Sequence, residues 1–583
     1  MEKADKLQGI RHTLSHLTAA AVRELWPGSQ NAIGPAIDNG FYQDFEIAGN
    51  VSDADLPKIE VKMKELLPKW TGFEKKEVTK EEALREFSWN KYKTELIEEF
   101  AGEGKKITFH NAPGLVDLCK GGHAENPAKE IDPSGFKLSH IAGAYWRGDE
   151  KNKMLTRIYG LAFENKGELD KYIEQREEAK KRDHRKIAKE QRLLVFSDLV
   201  GSGMPLYTPK GNIIRNAIIN YSRELNTRLG FGEVHTPNIN KAELFKLSGH
   251  YDLYKADMLS VHSQYVADEM FLKPMNCPQH TQIYASEPRS YRDLPIRYSD
   301  FAVLYRDEKP GELSGLTRLR AFSQDDGHIF AREDQIESEV SNILDAIKDA
   351  LITYKLDNYW MRFSLRDPQN TEKYLGSDEV WERSQAIMRK LLQEKKIEHK
   401  ETEGEAAFYG PKIDIMAVDA LGREWQISTI QLDFNQPARF KLEYAAEDGT
   451  KKTPVMIHRA LIGSPDRFLG VLIEHYAGAF PLWLSPVHVK VIPVRTNHNE
   501  YAKEIANLLK ENGIRVELDD GDSNLGGKVR EAKNMKVPYW IVLGDKEIES
   551  GMVTLESRDA GQLGQISKEE LVSKLLEEIK NKK

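Results

Sequence analysis

Apolar and polar positions change rhythm along this chain, and each change marks a region built on a different plan. Up to about residue 165, helix-like and strand-like patches are mixed, with Gly34-Pro35 and Asn39-Gly40 as turn signals. Residues 1–163 are therefore predicted to form an α+β domain. Charges then crowd the segment from Glu164 to Leu193, while Leu169, Tyr172 and Ile173 recur near the helical period. That pattern predicts a long, exposed connecting helix over 164–195, a solvated spacer. Residues 196–483 follow, with predicted strands such as Ile413 to Val418 and Trp425 to Ile427.

After Pro486 the pattern becomes an alternation of strands and helices. Strands are predicted over 487–494, 514–518, 540–543 and 552–555, and helices over 500–510 and 528–534. Ser567-Lys568-Glu569-Glu570 is a capping-box signature, and the helix it opens places Leu571, Leu575 and Ile579 on one face. Residues 484–583 read as one α/β module.

Composition narrows the class. At ~100 to 200 residues per domain, 583 residues imply three to five domains. Shares of 40% hydrophobic and 30% charged residues describe a soluble globular protein. No apolar run approaches the ~20 residues that span a bilayer, and the segment from Met1 to Lys6 lacks the apolar core of a secretion signal. Two cysteines in so long a chain fit a reducing compartment, so a cytoplasmic protein without membrane contact is expected. A net charge of −8 argues against indiscriminate nucleic-acid binding but leaves room for local basic surfaces.

Those cysteines stand in two separate histidine-bearing constellations. Cys119 lies between Asp117 and His123, with Gly121 and Gly122 making a turn, while His12 and His16, four apart, share one helix face. Such a group offers either a zinc shell or metal-free acid–base chemistry. Cys277 lies in Asn276-Cys277-Pro278, with His328 and His458 far downstream. One thiolate and two imidazoles suit zinc with a fourth position left open. The spacing matches no local zinc-finger pattern, and a lone cysteine is ordinarily a small buried hydrophobe.

The residues around these histidines carry a family resemblance. Arg306-x-Glu308, followed by a turn and a second basic strand, resembles motif 2 of class II aminoacyl-tRNA synthetases. Gly463 to Arg467, entering the apolar run Phe468 to Ile473, resembles their motif 3, and Gly230 to Pro237 resembles motif 1. Together with Cys277, His328 and His458, these segments make the chain similar to the threonine-specific members over essentially its whole length. The implied fold class is multidomain α+β and α/β: an editing domain over 1–163, an antiparallel-sheet catalytic core over 196–483 and an anticodon-binding domain over 484–583. Members of the family often begin with a further small domain, whereas His12 stands near the start here, so a short or trimmed form is expected.

The resemblance implies a ligase that activates L-threonine with ATP and transfers it to tRNA(Thr), with Mg²⁺ accompanying ATP. It places Arg306 on the α-phosphate, Arg318 and Arg467 on the nucleotide's phosphates, Phe322 against adenine and Glu308 on its amino group. Lys412, Gln426 and Thr429 would line the same pocket, Asp326, Tyr409 and Gln431 the threonine pocket, and His250 would serve aminoacyl transfer. Glu547 matches an anticodon position, although relatives often carry Arg where Glu556 stands. Motif 1 implies a homodimer. His280, three residues after Cys277, stays outside the implied metal shell and reads as structural.

Zinc and editing answer a physical problem. An apolar pocket separates a hydroxyl from a methyl poorly, so valine would pass for threonine. One Zn²⁺ per subunit on Cys277, His328 and His458 would be ligated by the substrate's amino nitrogen and hydroxyl together, a chelate that valine cannot form. Serine lacks only a methyl, worth about 1 to 3 kcal/mol, so a separate hydrolytic site is needed. The resemblance assigns it to His12, His16, Lys93, Asp117, Cys119 and His123, and favours metal-free hydrolysis there. A non-catalytic tRNA- or mRNA-binding paralogue is the rival reading, but it should have lost the motif arginines or the metal trio, and all are present.

Overall fold

The helix Glu2–Leu25 opens the chain because Ile10, Leu14, Leu17 and Ala21 recur at helical spacing and are buried against the elements around them. The computed structural model describes residues 2–583, with side chains from residue 6 onward. Its contacts divide into two compact units, one running to Glu177 and the other spanning Glu178–Lys583.

In the first unit, strands Gln30–Asn31, Gly40–Glu46, Met154–Ala162 and Phe136–Tyr145 form an antiparallel sheet in that order, with Ala36–Ile37 added beside Gly40–Glu46. Phe41, Phe45 and Ile158 pack with Leu14, Leu17 and Val22 of the opening helix, and Ile59 and Met63 of helix Leu56–Leu66 complete this core. A second, three-stranded sheet, Glu74–Val78, Ile107–Ala112 and Leu115–Leu118, carries Asp117 and delivers Cys119 beyond its last strand. Helices and antiparallel strands thus mix as the α+β reading expects.

The connecting segment differs from its expectation. Helix Lys166–Arg182 stops at Asp183, whose side chain caps a new helix, His184–Glu190, by accepting from the Arg185 amide at 2.8 Å. His184, Ile187 and Ala188 of that second helix are buried, so 164–195 is not one exposed rod.

In the second unit an eight-stranded sheet runs Gly232–Glu233, Ile296–Asp300, Asp326–Ala331, Val455–Ala460, Glu424–Asp433, Lys412–Val418, Tyr359–Leu365 and His399–Glu403. All inner pairings are antiparallel, and only the two outermost pairs are parallel. Helices Pro209–Arg228, Ile336–Thr353 and Pro465–His475 supply Ile218, Ile343 and Leu469 to the core beneath it. Beyond Pro486, strands Val516–Leu518, Val489–Pro493 and Tyr539–Leu543 pair in parallel, and Val553–Ser557 and Gly561–Ile566 extend the sheet antiparallel. The Ser567–Glu570 capping box forms as expected and opens helix Lys568–Lys580. No helix among the described residues is long and apolar enough to cross a membrane.

Candidate active site

Register across the large sheet builds the site. His328 stands opposite His458, His458 opposite Gln431, and Gln431 opposite Lys412, so four neighbouring strands contribute one row of side chains. Directly opposed residues project to the same face. Helix Cys277–Ala285, started by Pro278, brings Cys277 to that row. The ligand atoms of Cys277, His328 and His458 all lie within 4.8 Å of one another, and all three residues are buried.

Each imidazole is oriented from behind. His458 Nε2 donates to the Asp433 carboxylate at 3.0 Å, and His328 Nδ1 bonds to His280 Nδ1 at 2.8 Å, which leaves His458 Nδ1 and His328 Nε2 for a metal. Tyr409 stacks on His458 with ring centroids 4.5 Å apart and hydrogen-bonds Gln431. Burial, then His458 beside it, holds His328 well below the ordinary histidine range, and burial pushes the Cys277 thiol up, with Asp326 adding to the effect. A neutral His328 imidazole beside a buried thiol that needs a cation to ionise fits a zinc ion. Asp326 Oδ1 lies 3.7 Å from His328 Nε2, and burial raises its carboxyl to about 7.

Beside the row opens a cavity of about 230 Å³ lined by Arg306, Glu308, Arg318, Phe322, Gln426, Thr429, Gln431 and Arg467. Burial, then Arg306 and Arg318, lowers the Arg467 guanidinium, because three cations converge without a full complement of anions. Such a concentration of fixed positive charge suits the binding of phosphate groups. Arg306 lies over the Phe322 ring, 5.2 Å from its centroid. Arg318 is paired with Glu308 at 2.8 Å and Glu312 at 2.6 Å, so it must exchange partners to meet a ligand.

Sequence reasoning missed Asp414. This fully buried carboxylate accepts from Gln426 and Thr429 at 2.9 Å each, from Ser364 at 2.8 Å and from Arg362 at 3.0 Å, and pairs with Lys412 at 2.9 Å. Three predicted nucleotide-pocket residues therefore hang on one unpredicted anchor. Lys412 itself is set back against Asp414, outside the cavity lining.

His250 lies behind Cys277. It is fully buried, with Nδ1 on Ser248 Oγ at 2.7 Å and Nε2 facing Met275 Sδ and, at 3.6 Å, Cys277 Sγ. Burial lowers it to about 3, and it stays neutral. Glu547, in the C-terminal module, accepts from the Gly544 amide at 2.9 Å and from Thr554 at 2.7 Å, a cap on its own helix.

The first unit brings the other constellation together. Cys119 Sγ lies 3.5 Å from His12 Nε2 and 3.4 Å from His123 Nε2, and His16 Nε2 lies 3.2 Å from His12 Nε2. Gly121 and Gly122 both have positive φ, +104° and +86°, which lets the chain turn from Cys119 back to His123. A buried relay runs behind: Lys93 Nζ to Asp117 at 2.6 Å, and Asp117 to His16 Nδ1 at 2.9 Å. Burial alone would lower His16, but its bonds to Asp117 and Cys119 raise it to about 9. Burial would likewise raise Cys119, yet His12, His123 and His16 bring it down to about 3, so thiolate and imidazolium coexist. Phe73, stacked 4.0 Å from His123, and His110, bonded to the Cys119 carbonyl at 3.1 Å, complete the wall and were not foreseen.

This antiparallel sheet, with Arg306 and Arg318 from the motif 2 loop between strands Val303–Tyr305 and Ala321–Ser323, and Arg467 from the motif 3 helix, gathered around one cavity, is the architecture of a class II aminoacyl-tRNA synthetase. Residues 255–476 match the family model described as the tRNA synthetase class II core domain (G, H, P, S and T), and residues 488–578 match the anticodon binding domain. The threonine–tRNA ligase of Bacteroides fragilis is 46% identical over 98% of this chain and 88% of its own length. That of Thermosynechococcus vestitus is 44% identical over 98% of this chain and 95% of its own. Among solved structures, the RNA binding domain of threonyl-tRNA synthetase from Cryptosporidium parvum Iowa II superposes with a TM-score of 0.65 at 37% identity, covering 68% of this chain and 98% of that one. The chain belongs to the threonine–tRNA ligase family.

Proposed function

We propose that this enzyme joins L-threonine to tRNA(Thr) in two steps and hydrolyses seryl-tRNA(Thr) formed in error. In activation, a threonine carboxylate oxygen bonds to the α-phosphorus of ATP while the bond to the bridging oxygen breaks and pyrophosphate leaves. In transfer, a ribose hydroxyl of the tRNA attacks the mixed-anhydride carbonyl and AMP leaves. Convergence of Arg306, Arg318 and Arg467 on one cavity beside the Cys277, His328 and His458 row supports this reading most directly. The guanidiniums neutralise the phosphates, with Mg²⁺ accompanying ATP, and Phe322 and Glu308 hold adenine. Asp414 keeps Gln426 and Thr429 facing the nucleotide.

Zinc on Cys277, His328 and His458 would supply an open coordination position that recognises a substrate amino group and hydroxyl together. Asp326, Tyr409 and Gln431 shape the remainder of the threonine pocket, and His250 supports Cys277 from behind. In the first unit, His12 and His123 are placed to take a proton from water that adds to the seryl ester carbonyl. His16, kept protonated by Asp117, can return a proton to the departing ribose oxygen.

We further propose a homodimer of the 66.6 kDa chain, acting in the cytoplasm where tRNA and ATP are found. Light scattering at micromolar concentration that returns a monomer mass contradicts the dimer. For the activity, ATP–pyrophosphate exchange should proceed with threonine, more weakly with serine and hardly with valine. Exchange supported equally by valine, or by none of the three, removes the assignment.

A further inference from the structure

Asp183, His184 and Glu474 form a third cluster whose ligand atoms lie within 4.8 Å of one another. It is not an open ligand set, because both nitrogens of His184 are already engaged. Nδ1 meets the Glu474 carboxylate at 2.6 Å, and Nε2 accepts from the backbone amide of Leu316 at 2.9 Å. These partners fix the tautomer: the proton sits on Nδ1, facing an acceptor, and the lone pair on Nε2, facing a donor. His184 is 4% exposed, and a Cβ built on Gly315, which has a φ of +47°, would fall 2.1 Å from Nε2, so the loop and the ring fit with nothing to spare.

Leu316 and Thr317 belong to the loop between the two motif 2 strands and line the nucleotide cavity. The Thr317 carbonyl in turn accepts from Arg467 Nε at 2.9 Å. Arg467 and Glu474 stand on the same helix, Pro465–His475, seven residues or about two turns apart. The contacts therefore close a ring: Glu474 to His184, His184 to Leu316, the loop on to Thr317, Thr317 to Arg467, and the helix back to Glu474.

We infer that His184 is a positioning residue for ATP: it holds the motif 2 loop against the motif 3 helix so that the cavity wall and the Arg467 guanidinium keep one geometry. Imidazole suits the place because it presents a donor and an acceptor on opposite sides of a rigid ring. The inference rests on the activation reading above, since the cavity it shapes is the nucleotide's.

Two substitutions separate the two bonds. His184→Asn places an amide where Nδ1 was, keeping the Glu474 contact and leaving the Leu316 amide without its acceptor. His184→Gln reaches further and puts a carbonyl oxygen near the lost Nε2. In threonine-dependent pyrophosphate exchange, H184N should raise the KM for ATP about tenfold, as an unsatisfied buried amide would, with the KM for threonine and the zinc content unchanged. H184Q should recover most of that loss. Amide exchange over residues 309–320, which needs no activity, should quicken in H184N and return toward the parent in H184Q. An H184N protein with the parent's ATP KM, or a loop whose exchange is the same in all three proteins, overturns the inference. A parent inactive in exchange but with a loop loosened by H184N would instead count against the function and leave the clamp standing.

Discussion

Asp433 accepts a hydrogen bond from Nε2 of His458 at 3.0 Å, and that carboxylate decides which imidazole nitrogen looks toward Cys277 and His328. It is itself held by the amides of Asn435 and Gln436 and by the Gln436 side chain, all within 3.0 Å. Losing an outer partner of this kind costs about 10- to 100-fold in metal affinity. Asp433→Asn should therefore hold zinc that much more weakly in competition with a chromophoric chelator. Affinity equal to the parent's would mean that Asp433 does not orient the ligand.

Asp414 predicts a loss on the nucleotide side. Asp414→Asn leaves Lys412 and Arg362 short of their shared anion, and removing one partner of a buried pair costs roughly 3 to 5 kcal/mol. Arg362 keeps Glu405 at 3.3 Å, which places the expected cost toward the lower end. Exchange kinetics should show kcat/KM for ATP reduced at least about tenfold, each factor of ten being about 1.4 kcal/mol. An unchanged value, with Gln426 and Thr429 still in place, would show that the anchor is dispensable.

The relay behind the first unit's site makes the editing claim separable from synthesis. Asp117→Asn removes the charge that keeps His16 protonated and strands buried Lys93. Hydrolysis of pre-formed seryl-tRNA(Thr) should fall about 100-fold or more, the range of a lost general acid, while threonine activation stays at the parent's rate. Undiminished hydrolysis would take His16 out of the chemistry.

The same cluster gives a pH signature. His16 titrates near 9 in the folded unit against about 6.5 when unfolded. Its contribution to stability is thus fully present below about 6.5 and fades as pH rises through 9. Cys119, brought down from about 9 to about 3, contributes fully above about 9 and loses that contribution progressively as pH falls from there through about 3. A ¹⁵N titration of His16 should show a midpoint near 9 that drops in D117N, where Lys93, Cys119, His12 and His123 remain as neighbours. A midpoint near 6.5 in the parent would contradict the ion cluster.

Much of this was legible in the chain. The i,i+4 histidines, the capping box at Ser567 and the alternation after Pro486 each report a local rule, and the structure obeys them. The motif segments carried the class because their order, not any one residue, is specific. What stayed hidden was long-range and polar. Asp414 sits in the alternating strand Lys412–Val418, where a carboxylate reads as a solvent-facing residue until strands from both sides bury it. Asp433, Phe73 and His184 likewise gain meaning only from partners dozens to hundreds of residues away. The break at Asp183 was visible as a capping residue, but dense charge on either side masked it. For His250 a motif match gives a position in the chain and not the depth at which a ring is buried.

Zinc on Cys277, His328 and His458 would read two atoms of the amino acid at once. Purified protein should be assayed for zinc, stripped with a chelator, and compared with the reloaded enzyme in pyrophosphate exchange with threonine and with valine. About one zinc per chain is expected, with threonine-dependent exchange lost on stripping and regained, together with the preference over valine, when zinc returns. A metal-free enzyme that activates threonine fully and still refuses valine would contradict it.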